Sequence, residues 1–309
     1  MRTVFFGTPA FAVPSLRALL GEGFPIAAVV TQPDKPIGRS RSRAVSSPVK
    51  LTALDESIEV LQPETPADPE FTAALRALQP DIGVVVAYGH ILKPALLGIP
   101  RLGMINVHAS LLPALRGAAP IHYAILNGLN ETGVSIIQME KGMDSGPVLM
   151  QVPTPIAEDE TTGELTVRLA ETGALALVEA LTLIGSGAAQ PTEQDHSRAT
   201  FAPKVSRETA RIRWDRPAAE IVRLVRAMDP TPGAWTELDG LGIKLYGARL
   251  VNLHSDHPNG AVLAVNGNLA VSTADGLVQF MDIQPAGRKR MSTPSWLRGR
   301  PKDEAVRFG

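Results

Sequence analysis

Apolar residues along this chain fall into short, nearly unbroken runs separated by stretches of helical spacing. The runs at 2–6, 26–31, 82–87, 105–108 and 134–139 are rich in Val, Ile and Phe, and a helical pattern occupies 12–21. Strands that are apolar on both sides must be covered on both faces, which is the condition of a parallel sheet wound with helices. The first half is therefore expected to be a doubly wound, mostly parallel α/β domain of Rossmann-like type. In such domains sites form where the strands' carboxyl ends meet loops.

The pattern then changes. Residues 159–185 read as one long helix, and 185–213 as a connecting stretch of Gly, Ala, Gln, Pro and Thr followed by basic side chains. Helical spacing returns at 217–228. Short runs at 234–238, 243–251, 261–265, 269–273 and 277–283, most of them divided by Gly or Asn, suggest a small β-barrel. The expected division is a domain at 1–188, a linker at 189–206 and a second domain at 207–309.

Composition narrows the class. With 44% hydrophobic residues in 309, the chain has the content of a globular protein. No apolar run approaches the roughly 18–20 residues that cross a bilayer, and no signal-peptide pattern opens the sequence, so a cytoplasmic protein without a membrane partner is expected. It contains no cysteine, which excludes thiolate nucleophiles, disulfides and thiolate-held metals. The net charge of −1 conceals an imbalance of −6 over 1–200 and +5 over 201–309. A basic second half either suits a polyanionic partner or is ordinary solvated surface.

Candidate chemistry centres on INVHASLLPALRGAAP, residues 105–120. Strand residues two apart share a face, so Asn106 and His108 point the same way at the end of a run that is otherwise apolar. Such a histidine reads either as a satisfied structural residue or, beside an amide donor, as part of a cradle for a developing oxyanion. Asp144, in GMDSGP, reads either as a turn residue or as the carboxylate that orients His108. The loop PDKPIGRSRSRAVSSPVK, residues 33–50, carries Lys35, Arg39, Arg41, Arg43 and Lys50; it reads as a phosphate contact or as a solvated loop. There is no G-x-G-x-x-G, Walker A, G-x-S-x-G or H-E-x-x-H pattern, which disfavours a dehydrogenase, and no metal is expected.

Taken together, FFGTPAFA, VVTQPDKPIGR with SPVK, VVVAYGHIL, INVHASLLPALRGAAPI, ETGVSIIQMEKGMDSGPVL and QPAGRKRMS resemble the methionyl-tRNA formyltransferase family over nearly the whole chain. The resemblance implies transfer of the formyl group of 10-formyltetrahydrofolate to the α-amine of initiator methionyl-tRNA, by a monomer. It implies a catalytic trio of Asn106, His108 and Asp144. It implies folate contacts from Ser110, Leu111, Leu112 and Pro113, from Val86, Ala87, Tyr88 and Gly89, and from Gly142 and Met143. It places tRNA contacts at Lys35, Gly38, Arg39, Arg41, Arg43, Lys204 and Arg207, and makes the second domain an OB-like barrel. Where the family pattern has a basic and an aromatic residue, this chain has Ala114 and Leu115. The rivals are a formyltransferase acting on a nucleotide sugar or glycinamide ribonucleotide, and an RNA-binding protein without catalysis.

Overall fold

The computed structural model describes residues 1–37, 43–253, 255–300 and 306–309. They form two compact units. One comprises 1–117, 131–155 and 166–201; the other comprises 118–130, 156–165 and 202–309. Residues 189–201, in the stretch read as linker, thus belong to the first unit.

The first unit is built on a seven-stranded sheet. Its strands are β1 (Thr3–Gly7), β2 (Ile26–Val30), β5 (Val60–Leu61), β6 (Ile82–Val86), β7 (Met104–His108), β8 (Glu131–Gln138) and β9 (Val148–Pro155), in the order β5-β2-β1-β6-β7-β8-β9. The pairings from β5 to β7 are parallel, and β8 and β9 run antiparallel. The expected parallel strands are thus found, with an antiparallel edge. All five residues of β1 and of β6 are buried, as their unbroken apolar sequence requires. A separate hairpin pairs β3 (Lys35–Ile37) with β4 (Arg43–Val45). Chain order turns back between β1 and β6, the switch point at which open α/β sheets leave a crevice.

Helices α1 (Val13–Gly21), α2 (Pro48–Asp55), α3 (Pro69–Ala77) and α4 (Pro94–Leu97) connect the parallel strands. Their starts are written locally. The side chains of Ser47 and Asp68 cap α2 and α3 by accepting from Lys50 N–H and Glu70 N–H, and proline stands in the first turn of each. Under the sheet, Phe6, Phe71, Tyr88, Leu92 and Leu96 form a core with Val4, Val30 and Val85.

The second unit contains α5 (Pro120–Leu126) and α7 (Ala218–Met228) packed together; α6 (Thr162–Gly185), the expected long helix, belongs from Thr166 onward to the first unit. The sheet of the second unit is antiparallel, with β10 (Ala234–Leu238), β11 (Leu241–Val251), β14 (Leu277–Pro285), β13 (Asn268–Ser272) and β12 (Val262–Val265) in that order, and β15 (Met291–Ser292) on β14 ahead of α8 (Thr293–Arg298). All five expected strands are present. No strand joins β10 to β12 among the described residues, so the sheet is an open path and not the closed barrel expected. The indole of Trp214 donates to Thr236 Oγ1 at 2.9 Å and stacks on Phe308, fixing the core beneath the sheet.

Among the described residues no helix is long and apolar enough to cross a membrane.

Candidate active site

β7 carries the site. Asn106 pairs with Val85 of β6 on one side and Ile137 of β8 on the other, and His108 lies opposite Ser135. The two-residue period puts both side chains on one face, and β8 runs antiparallel to end opposite Ile105, so the loop after it folds back along β7 toward His108. That loop holds Asp144. Its Oδ2 lies 3.7 Å from His108 Nδ1, with the imidazole 6% and the carboxylate 18% exposed. Asn106 and Asp144 line one cavity of about 20 Å³ with Ile137, Met139, Glu140, Gly142, Ser145 and Gly146. The structure therefore brings together all three residues of the expected trio. The cavity has room for about one water or a group of that size, not for a whole pterin.

The imidazole and the carboxylate are each tied to the frame. His108 Nε2 is 3.0 Å from the Leu115 carbonyl, which can only accept, so Nε2 carries a proton and Nδ1 faces Asp144. The backbone N–H of Gly117 donates to Asp144 Oδ2 at 2.8 Å. These contacts demand unusual backbone. Leu115 and Asp144 sit at φ of +58° and +49°, and Ala87, at the end of β6, at +48°. Left-handed conformations of non-glycine residues cost free energy and persist where surrounding bonds over-determine them.

The expected folate residues divide. Ser110 and Leu112 are buried, and their loop is locked from below: Ser135 Oγ donates to the Ser110 carbonyl and accepts from Leu112 N–H, while Gln151 Nε2 donates to the Leu112 carbonyl. Leu111 packs against β8 at Gly133, where a Cβ would collide with it. Pro113 offers its carbonyl to Thr200 N–H. These residues shape the loop; they do not line the small cavity. On the β6 side, Val86 is buried and Tyr88 turns its ring into the core against Phe6. Burial pushes the Tyr88 phenol up to about 12, and its hydroxyl has no partner among the described residues. The Tyr88 carbonyl is what the loop presents, and it accepts from Thr8 Oγ1 and Gln32 Nε2. Gly89, at φ +88°, leaves room for that glutamine, since a Cβ there would strike its amide. Gly142 lines the cavity, whereas Met143 is exposed.

Of the expected RNA contacts, Lys35 is exposed and reaches Gln32 Oε1 at 2.6 Å. Gly38, Arg39 and Arg41 lie outside the described residues, and Arg43 lies in β4. Asp34, at the foot of this hairpin, accepts from Lys50, Gln62 and Ser46. Those hydrogen bonds, the one from Lys50 foremost, hold its carboxyl below the usual range. In the second unit Lys204 is exposed, and the Arg207 guanidinium lies 4.3 Å over the Trp235 ring.

One residue has no local signal in the sequence. Gln194 lies in the Gly, Ala and Pro stretch that reads as linker, yet it is buried and donates to the carbonyls of Asp144 and Gly146 at 2.9 and 2.8 Å. Its own carbonyl accepts from the buried Arg116 at 2.6 Å, and Arg116 also donates to His196 Nδ1. Gln194 thus fastens the aspartate loop to the loop after β7. Arg116 had a cue, a charged residue inside an otherwise small and apolar motif; Gln194 had none.

An amide, an imidazole and a carboxylate at the end of a mixed α/β sheet, without a dinucleotide fingerprint, describe a group-transfer centre. The comparisons agree: residues 1–181 match the family described as Formyl transferase and 204–301 match Formyl transferase, C-terminal domain, so the chain belongs to the formyl transferase family. Within it, the methionyl-tRNA formyltransferase of Roseiflexus castenholzii is 46% identical over 301 residues, covering 97% of this chain and 96% of that relative. The methionyl-tRNA formyltransferase of Methylococcus capsulatus is 44% identical over 96% of each chain. Among solved structures, WlaRD, a sugar 3N-formyl transferase, aligns with a TM-score of 0.67 at 19% identity over 94% of this chain and 99% of its own. HypX from Aquifex aeolicus aligns with a TM-score of 0.68 at 19% identity, covering 98% of this chain; this chain spans about half of HypX, 49%. At these identities the structures speak for the fold alone.

Proposed function

We propose that this protein transfers the formyl group of 10-formyltetrahydrofolate to the α-amine of initiator methionyl-tRNA, acting as a monomer in the cytoplasm. The convergence of Asp144 on His108 beside Asn106 carries the mechanism, and relatives of that name at 44–46% identity along nearly the full chain support the substrates. The bound folate supplies an electrophilic formyl carbon; the remaining demands fall on the chain. Because Nε2 of His108 is committed to the Leu115 carbonyl, the nitrogen available to the reacting group is Nδ1. Protonated there, His108 and the Asn106 amide donate to the oxygen that gains charge as the amine attacks. Asp144 stabilises the imidazolium and steers the proton from the amine toward the departing folate nitrogen. The Gly117 N–H keeps Asp144 oriented, so little reorganisation remains for the transition state.

The folate itself would enter between the loop at 86–89 and the loop at 142–144, with the 110–113 turn beneath it. The small cavity corresponds to the formyl position only. The basic side chains of 35–43 and of Lys204 and Arg207 serve the RNA. For the second unit the OB-like reading rests on its tail: Val306 and Phe308 bond to Val262 and Gly260 beside β12, while Gly309 exchanges hydrogen bonds with Glu237 of β10, so residues 306–309 bridge the two edges of the sheet. Domains divided near 188 and 207 fit this reading.

The test is transfer of labelled formyl from 10-formyltetrahydrofolate to charged initiator tRNA, with charged elongator tRNA and a nucleotide-linked amino sugar as alternatives. Preference for the initiator is expected. Efficient transfer to the sugar without use of tRNA would overturn the assignment.

A further inference from the structure

One concavity in the second unit has no part in the chemistry above. It is a pocket of about 300 Å³ lined by Arg211, Arg213, Arg216 and Arg223 with Glu220, over an apolar floor of Leu126, Ile221 and Leu224. Four guanidinium groups face one carboxylate. Glu220 is already engaged by Arg216 at 3.1 Å, one helical turn away. Arg213 and Arg211 reach Asp215 and Glu237 only at 3.7 and 3.8 Å, in partly exposed pairs that hold a side chain weakly.

Arg223 is the telling residue. It projects from α7 over Gly128, where a Cβ would come within 3.1 Å of its Cδ. Gly128, at φ +69°, leaves the space the side chain fills. The Arg223 Nε is nevertheless buried with no hydrogen-bond partner among the described residues. A buried donor left unmade is costly, and in a native fold it calls for a missing partner. An acceptor-only group with several oxygens and a full negative charge satisfies such a donor, matches the planar fork of arginine and offsets the excess charge.

We propose that this pocket binds a phosphoryl group, held by Arg223 from within and by Arg213 at the rim. Its size suits a diphosphate as well as one phosphate with its flanking atoms. Two sources supply that chemistry: the backbone of a bound RNA, or a free phosphorylated small molecule. The site is independent of formyl transfer, because its readouts need no folate and no aminoacyl group.

The full-length protein is titrated calorimetrically with inorganic pyrophosphate at low salt, then with uncharged tRNA across a salt series. Arg223→Gln and, should that variant fold poorly, the exposed Arg213→Gln are each expected to weaken pyrophosphate binding about tenfold, the value of one charge-assisted hydrogen bond. Transfer to a minimal amine acceptor should not change. If the phosphate belongs to RNA, tRNA displaces pyrophosphate and each variant lowers the salt slope of tRNA binding by about one. If it belongs to a free molecule, pyrophosphate binds equally with tRNA present and the slope is unaltered. Pyrophosphate binding that is absent in the unsubstituted protein, or identical in both variants, with the tRNA slope also unchanged, would overturn the proposal.

Discussion

The two polar centres of this protein are built on opposite terms. At the end of β7 the imidazole and the carboxylate are held in place: His108 Nε2 by Leu115, Asp144 Oδ2 by Gly117, and the aspartate loop by Gln194. In the second unit Arg211 and Arg213 are held by long, partly exposed pairs, and the buried Nε of Arg223 is left unmet. Stabilising a charge that exists only in a transition state rewards donors fixed beforehand, because reorienting them would be part of the barrier. Holding a permanent charge such as a phosphate rewards numbers of positive groups, and precise placement matters less. The contrast teaches that rigidity in this molecule marks where bonds change.

The contrast breaks most sharply at the trio. His108→Ala and Asp144→Ala should each lower kcat by at least about 10²–10³, the ~2.7–4 kcal/mol typical of one lost oxyanion donor, while folate binding measured by fluorescence stays near that of the unsubstituted protein. Turnover close to normal in either would return His108 to the structural reading. A smaller effect is expected at Gln194→Ala, which touches no reacting atom. It leaves the carbonyls of Asp144 and Gly146 without this donor and leaves the buried Arg116 only its bond to His196, each lost buried bond costing about 1–3 kcal/mol, so thermal stability and kcat should fall together, the latter about tenfold. Loss of stability with kcat intact would show that the loop holds its geometry unaided.

Arg207→Ala, on the charge-holding side, should leave transfer to a minimal amine untouched and lower the salt slope of tRNA binding by about one. Because this guanidinium stacks on Trp235, some packing loss accompanies it, and near-ultraviolet circular dichroism separates the two effects. The smallest effect concerns pH. Asp34 is held ionised by Lys50, Gln62 and Ser46, so its contribution to the hairpin's foot is present above the ordinary carboxylate range and is lost as pH falls through its lowered folded value. Asp34→Asn should flatten that acid-side loss, followed by proteolysis near Asp34 as pH falls below the ordinary carboxylate value of about 3.9. An unchanged acid profile would mean the foot is held otherwise.

How legible all this was depended on whether the signal was local. The strands of the parallel sheet could be read because burial on both faces leaves nothing polar in them, as in β1 and β6. Asn106 and His108 stood out as the exception in such a strand. The short helices α2, α3 and α5 were not marked, being too brief for periodicity, although Ser47 and Asp68 ahead of Pro48 and Pro69 are sound starting signals. The edge strand β9 escaped because its outward residues alternate with half-buried ones and it continues from a Gly-Pro turn. Gln194 could not be found at all: its role consists of contacts with residues about fifty and eighty positions away, and nothing in its neighbourhood records them. Expected closure of the second sheet by a strand failed for a related reason, since the bridge between its edges is made by four residues at 306–309 with no strand pattern.

The most direct test of the central claim is a double-mutant cycle on single-turnover formyl transfer, comparing His108→Ala, Asp144→Ala and the doubly substituted protein. If the imidazole and the carboxylate act as one unit on one carbonyl, the double substitution costs little more than the worse of the two singles. If the two losses simply multiply, the residues act separately, and the convergence at the end of β7 is not the catalytic device described here.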